Sequence, residues 1–145
     1  MIGGIAMDKK MIITISREFG SGGRTIGKEV AEKLGIPCYD QEIIEKLAEE
    51  SGFSKEYIED KGEYANHNNW FANAFASSGT HHGASNQDYL WVLQRKIILD
   101  LAKEGPCVIV GRCADQILKG RDDVLRVFIH ASDQFRAERI VRLYG

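Results

Sequence analysis

The sequence predicts an α/β protein built on a parallel sheet. Short apolar runs rich in β-branched residues alternate with longer segments in which apolar residues recur at helical spacing. A glycine-rich turn separates the first such run from the first helical segment, as expected of a βα junction. Consecutive parallel strands need a crossover, which is almost always right-handed.

The first elements form a βαβ unit. Met11–Ser16 has the β-branched composition of a buried parallel strand. Apolar residues at helical spacing predict a helix over Arg24–Leu34, and Gly35 ends it. A second short strand is predicted at Ile36–Tyr39.

The middle of the chain is predicted to be helical. Asp40 has the side chain of an N-cap for a helix over Gln41–Glu50, and a second short helix follows at Ser54–Asp60. Residues 62–87, rich in Gly, Asn, Ser and His, predict irregular structure. A long helix is then expected over Asp88–Lys103.

The last third returns to strands alternating with helices. Cys107–Val110 is a fully apolar strand, Asp115–Leu118 a short helix, and Val124–Ile129 a further strand. Ser132 is the expected N-cap of a last helix over Asp133–Leu143.

Composition excludes several classes of protein. The 145 residues, 43% of them hydrophobic, suit one domain with a core of its own. The net charge of -2 disfavours a general nucleic-acid binder. No apolar run reaches the ~20 residues that span a bilayer, so we expect no membrane association. The start of the chain lacks the apolar segment of a secretory signal, and the three cysteines form no C-x-x-C pair, which indicates a cytoplasmic protein.

Basic charge is concentrated in the last third. Residues 1–94 carry 9 Lys/Arg against 14 Asp/Glu, whereas residues 95–145 carry 10 against 7. Seven of the nine arginines lie in that last third. Because the guanidinium fork suits bidentate contacts with phosphate, the asymmetry indicates a small anionic ligand.

The glycine-rich segment between the first strand and helix is the best candidate site for that ligand. Glycines at a helix N-terminus allow the backbone to approach a phosphate, whose charge the N–H groups and the helix dipole stabilise. The segment departs from G-x-x-x-x-G-K-[ST] because no lysine follows the glycines. A phosphate-binding loop and a tight turn without a ligand both remain open.

Four ordered segments resemble the bacterial cytidylate kinase-like family. They are Ile15–Gly27 (ISREFGSGGRTIG), Leu34–Asp40 (LGIPCYD), Cys107–Asp115 (CVIVGRCAD) and Val127–Ser132 (VFIHAS), within a likeness that covers about residues 11–144. The resemblance implies a three-layer P-loop nucleoside monophosphate kinase fold. It also implies transfer of a phosphate from ATP, with Mg²⁺, to a nucleotide such as CMP.

The resemblance assigns the donor side of the site. The residues that would hold the ATP phosphates are Gly20, Ser21, Gly22, Gly23, Arg24 and Thr25. The lysine of true cytidylate kinases falls opposite Gly23, so Arg24, or Arg17 at the loop entrance, would supply the missing positive charge.

The acceptor side is assigned in the same way. Asp40 matches an aspartate near the acceptor nucleotide, and Lys46 stands where an arginine contacts the acceptor phosphate. Arg112 matches an arginine that grips the acceptor, with Asp115 as the nearby acidic residue. From the residues alone, Asp40 is equally well explained as a helix cap, and a lysine such as Lys46 is more often a solvated helix residue. The magnesium ligands are not assigned.

Three arginines repeat along the last predicted helix. At about 100° per residue, Arg136, Arg139 and Arg142 share an arc of roughly 120°. One interpretation is a solvated basic face, paired with Glu138 and Asp133. The other, implied by the resemblance, is that at least one of them, such as Arg136 or Arg139, clamps the transferring phosphoryl group.

The expected organisation is a single kinase-like domain, with a core at 11–39 and 105–145 and a helical acceptor-binding insert at about 40–104. The family's lid and last strand would follow the final helix, and we expect this chain to lack them, either because it is truncated or because another chain supplies the lid. The resulting hypothesis is an ATP-dependent, cytidylate-like kinase acting on small-molecule nucleotides. Alternatives are a P-loop kinase for another small molecule and a non-catalytic nucleotide-binding or regulatory protein. A homo-oligomer is compatible with the sequence.

Overall fold

The computed structural model describes residues 11–62 and 86–145, and these form four strands and six helices. The strands are β1 (Ile12–Arg17), β2 (Cys38–Tyr39), β3 (Cys107–Val110) and β4 (Val124–Ile129). The helices are α1 (Gly23–Leu34), α2 (Gln41–Ser51), α3 (Lys55–Gly62), α4 (Asn86–Glu104), α5 (Ala114–Ile117) and α6 (Asp133–Tyr144). The predicted α/β class is confirmed.

The four strands form one parallel sheet in the order β2-β3-β1-β4. In this order β1 lies between two neighbours: its Ile12 pairs with Cys107 of β3 on one side and with Val124 of β4 on the other. The carboxyl ends of parallel strands meet at one edge of the sheet, so the segments that follow β1, β3 and β4 are brought together there.

Helix α1 approaches the sheet along a stripe of small residues. Gly23, Gly27 and Ala31 are its buried positions, spaced four apart on one face. A Cβ added at Gly27 would lie 2.9 Å from Val110 Cγ2 and 3.2 Å from Ile15 Cδ1. Glycine therefore allows a close contact between α1 and the strands beneath it.

The apolar core beneath α1 comes from alternate strand residues. Ile13 and Ile15 of β1 cluster with Val108 and Val110 of β3 and with Ala31 of α1. All four residues of β3 are buried, which agrees with its continuous apolar sequence.

The chain divides into two compact units. The first comprises residues 1–40 and 99–145 and contains the sheet; the second, Gln41–Ile98, holds α2, α3 and most of α4. Among the described residues of the second unit, the buried apolar ones are Ile43, Ile44, Leu47, Ile58, Leu90, Leu93, Ile97 and Ile98. The rings of Phe53 and Tyr57 also stack there, with centroids 5.0 Å apart. Within the described residues, no helix has the length and apolar character needed to cross a membrane.

Local structure differs from the sequence-based expectation at a few boundaries. β2 is two residues long instead of four because Pro37 has no N–H to donate; its carbonyl still accepts from Val108 N at 2.9 Å. The irregular segment predicted at 62–87 lies largely outside the described residues, but Asn86 and Gln87 are helical and begin α4. The predicted N-cap of α6 is confirmed, since Ser132 Oγ accepts from Phe135 N at 3.2 Å.

Candidate active site

The glycine-rich loop between β1 and α1 has the backbone of an anion site. Gly20 and Gly22 have φ of 79° and 88°, which glycine adopts without strain. Gly22 is the N-cap of α1 and brings no side chain to cap the helix, and no acidic residue lies in its first turn. The first turn of α1 thus carries no carboxylate of its own to neutralise its N–H groups and the helix dipole.

Arg17, the last residue of β1, lies against Gly23, the first residue of α1. A Cβ added at Gly23 would overlap Arg17 Cβ and lie 2.8 Å from its Cγ and 3.4 Å from its Cδ. The stem of Arg17 therefore occupies the space that a side chain at position 23 would need.

Helix α6 packs directly on the loop. A Cβ at Gly20 would lie 2.9 Å from both the carbonyl oxygen of Arg136 and Ile140 Cδ1. A Cβ at Gly22 would lie 3.4 Å from Arg139 Nε, and Arg139 Nη2 donates to Thr25 Oγ1 at 3.1 Å. Arg142, one turn further on, is exposed.

Glu18 connects the loop to the start of α6. Its carboxylate Oε2 accepts from Ala131 N at 3.3 Å and lies 3.4 Å from Arg136 Nε. Its own N–H donates to Ile129 O at 3.0 Å. Arg136 also pairs with Asp133 and donates through Nη1 to Phe19 O at 3.3 Å.

Sequence reasoning did not single out Glu18. The available signal was an acidic residue beside a loop expected to bind phosphate, where its charge is unfavourable unless a cation neutralises it. Arg136 is that cation.

Arg24 and Asp40 form an ion pair between α1 and the end of β2. Arg24 Nε lies 2.6 Å from Asp40 Oδ2; the Asp40 side chain is 8% exposed and that of Arg24 46%. The charge of Arg24 is therefore directed toward the carboxyl end of β2.

Arg112 lies on a left-handed turn after β3. Gly111, Arg112 and Cys113 have φ of 68°, 57° and 58°, and Arg112 is only 6% exposed. Gly111 N donates to Ile15 O at 2.8 Å, which fixes this turn beside the end of β1. Two consecutive non-glycine residues in this region are strained, and such strain concentrates at functional sites.

The remaining predicted site residues lie in different parts of the structure. Ser21 is buried in the loop and its Oγ lacks a hydrogen-bond partner among the described residues. Asp115 accepts from the neighbouring Gln116 Nε2 at 3.0 Å. Lys46 belongs to the second unit and is exposed on α2.

The buried cysteine of β3 is a poor nucleophile. Burial, together with the nearby charge of Glu104, raises the pKa of Cys107 to about 11. The thiol is therefore protonated near neutral pH, and it serves the core rather than chemistry.

The sequence profile of the cytidylate kinase-like family matches residues 12–145, nearly the whole described fold. The chain belongs to the cytidylate kinase-like family. Its loop, its Arg112 turn and the helix that carries Arg136 and Arg139 all fall within the matched range.

Two relatives of this cytidylate kinase-like chain can be compared. A cytidylate kinase of Pyrococcus horikoshii is 31% identical over 137 residues, which cover 94% of this chain and 59% of the relative. A crystal structure of an uncharacterized protein from Eubacterium ventriosum matches with a TM-score of 0.61 and 26% identity, covering 93% of this chain and 62% of that one. The chain thus spans about three fifths of the length of each.

At position 24 this family member lacks the hydroxyl that the usual phosphate-loop pattern supplies to magnesium. The described residues contain no group of three or more His, Cys, Asp or Glu side chains able to hold a metal. Arg24 stands two residues after Gly22, where the phosphate-loop pattern has Ser or Thr, and a guanidinium cannot ligate a cation.

Proposed function

We propose that this chain is the core of an ATP-dependent phosphotransferase whose acceptor is a nucleoside monophosphate such as CMP. The observation that carries the proposal is the meeting of three features at the carboxyl edge of the sheet. They are an uncapped helix N-terminus in a glycine loop, the guanidinium of Arg139 beside Gly22 with the stem of Arg17 beside Gly23, and the buried Arg112 on the neighbouring turn. Family membership and the name of the Pyrococcus horikoshii relative support the same reaction.

The donor phosphates are assigned to the glycine loop. Residues Gly20–Thr25 offer backbone N–H groups at the positive end of α1, and Ser21 adds a buried hydroxyl. Arg139 lies beside Gly22 and is the guanidinium of α6 best placed to meet the transferring phosphoryl group. Arg136, held by Glu18, keeps α6 against the loop.

The acceptor is assigned to the ends of β3 and β2. Arg112 would contact the acceptor phosphate, because its turn is fixed to the end of β1 by the hydrogen bond from Gly111 N to Ile15 O. Asp40, at the end of β2, would accept hydrogen bonds from the acceptor nucleoside while Arg24 neutralises its charge. Lys46 and Asp115 are assigned to the acceptor side on the family resemblance alone.

The chemistry required of these residues is mainly positioning. Phosphoryl transfer has little covalent demand on the protein, and fixed cations that meet the charge of the transferring group supply much of the rate. Mg²⁺, when it accompanies ATP, neutralises charge on the phosphates it binds.

The test is a coupled assay of ADP release across a panel of nucleoside monophosphates. Turnover with CMP above the rate of ATP hydrolysis alone supports the proposal. Turnover confined to acceptors that are not nucleotides would support a kinase for another small molecule.

A non-catalytic nucleotide-binding protein is the second candidate, and Gly23 is the observation that favours it. A phosphate loop of the usual pattern has a lysine there, and the stem of Arg17 fills that space. ATP binding measured by calorimetry, without turnover of any acceptor by the same sample, would support this alternative against the kinase.

A further inference from the structure

Compared with the usual phosphate loop, positions 17 and 23 have exchanged residue types: Arg17 stands where the loop has glycine, and Gly23 stands where it has lysine. In the pattern G-x-x-x-x-G-K, a first glycine lies five residues before the second, and lysine follows the second. With Gly22 as the second glycine, the first falls on Arg17 and the lysine on Gly23. The cation is thus lost at the start of the helix and gained at the end of the strand.

From this exchange we propose that Arg17 replaces the phosphate-loop lysine and contacts the terminal phosphates of the donor nucleotide. The inference rests on the proposed function, since it concerns the same loop. Of the several arginines near the loop, it assigns the role of the lysine to Arg17 alone.

The strand geometry brings Arg17 to the helix start. Alternate residues of a strand share a face, so Arg17 continues the row of Ile13 and Ile15, which face α1. Ile15 lies below Gly27, and Arg17 lies below Gly23, one helical turn closer to the loop.

The two cation positions exclude each other. A Cβ at position 23 would overlap Arg17 Cβ and lie 2.8 Å from Cγ, so a lysine at 23 on this backbone requires glycine at 17. The stem of Arg17 passes the first residue of α1, where the glycine loop joins the helix. An arginine from the strand and a lysine from the helix are therefore two ways of filling one space.

The other arginines near the loop have different geometry. Arg24 extends to Asp40 at the end of β2, and Arg136 extends from α6 to Glu18 and Asp133. Arg139 approaches Gly22 and Thr25 from α6, not from the strand. None of these three fills the space beside Gly23.

The exchange can be reversed by mutation in the 145-residue chain. The double variant Arg17→Gly/Gly23→Lys restores the usual pattern, and Arg17→Gly/Gly23→Ala is its matched control, with the same space filled but no cation. Isothermal titration with ATP and with AMP measures the contribution of the terminal phosphates, and circular dichroism checks that each variant folds.

We expect Arg17→Ala and the Gly/Ala control to bind ATP about ten- to hundredfold more weakly than the native chain, as expected for loss of one charge-assisted contact. AMP affinity should change little. The double variant Arg17→Gly/Gly23→Lys should recover most of the lost ATP affinity. If that variant does not fold, recovery by Arg17→Lys relative to Arg17→Ala decides the matter.

Unchanged ATP affinity in Arg17→Ala and in the Gly/Ala control would overturn the role of Arg17 while leaving the proposed function intact. Failure of the native chain to bind ATP would overturn the proposed function itself. The two failures are thereby distinguished.

Discussion

Arg139 Nη2 donates a 3.1 Å hydrogen bond to Thr25 Oγ1, and so joins two residues 114 positions apart in sequence. The same guanidinium lies beside Gly22, the N-cap of α1. Helix α6 therefore contributes a half-buried cation to the entrance of α1, where an anion is already favoured by the helix dipole.

Replacement of Arg139 by alanine should weaken ATP binding by about tenfold or more, because a charge-assisted contact to phosphate contributes about 1.5–3 kcal/mol. Arg142→Ala is the matched control, since Arg142 is on the same helix and exposed. Calorimetric titration with ATP measures both. If the two substitutions change ATP affinity equally, Arg139 is a solvated surface residue and not a phosphate contact.

Gly22→Ala should greatly reduce ATP binding, because a Cβ at φ 88° beside Arg139 would stand between the loop backbone and a phosphate. Gly35→Ala is the control: Gly35 is also left-handed, at φ 65°, and has nothing within 4 Å of an added Cβ. Both variants should lose about 1–2 kcal/mol of folding stability from the left-handed backbone. Only the first should lose ATP affinity; a similar loss in both would assign the effect to stability.

Arg112→Ala and Arg112→Gly separate the guanidinium from the backbone on which it stands. Both should raise the KM for the acceptor and leave ATP affinity nearly unchanged, because both remove the cation. The glycine variant should be the more stable by about 1–2 kcal/mol, since φ 57° is unstrained only for glycine. Chemical denaturation and steady-state kinetics give the two readouts. Loss of ATP affinity in both variants would instead place Arg112 at the donor phosphates.

Stability should fall at alkaline pH through Cys107. Its pKa is raised from 9.0 to about 11 by burial, so between these values the unfolded chain is deprotonated while the folded chain still holds its proton. The free energy of unfolding should therefore decrease as pH rises from 9 to 11, by at most about 1.4 kcal/mol per pH unit from this group. Urea denaturation of the native chain and of Cys107→Ala should show the steeper decrease in the native chain. Identical slopes would contradict this assignment.

The secondary structure was largely accessible from the sequence because its signals are local. The bounds of β3 and β4 were predicted as observed, and the Ser132 cap was predicted from its side chain alone. The shortened β2 was not predicted, although Pro37 carried the information.

The contacts of the candidate site were less accessible because they depend on packing between distant segments. Helical periodicity placed Arg136, Arg139 and Arg142 on one face, but it could not show that the first two meet the loop while the third is exposed. Likewise, the overlap of Arg17 with a side chain at position 23 depends on the distance between α1 and the sheet, and no local sequence pattern gives that distance.

The position of β1 between β3 and β4 has a consequence for the order of folding. The loop follows β1 near the start of the chain, whereas both strands that pair with β1 begin only at Cys107 and Val124. Pairings so distant in sequence carry a large loop-closure entropy and form slowly. During synthesis the loop leaves the ribosome long before the strands that shape it, so the proposed nucleotide site would be completed late, when β4 docks.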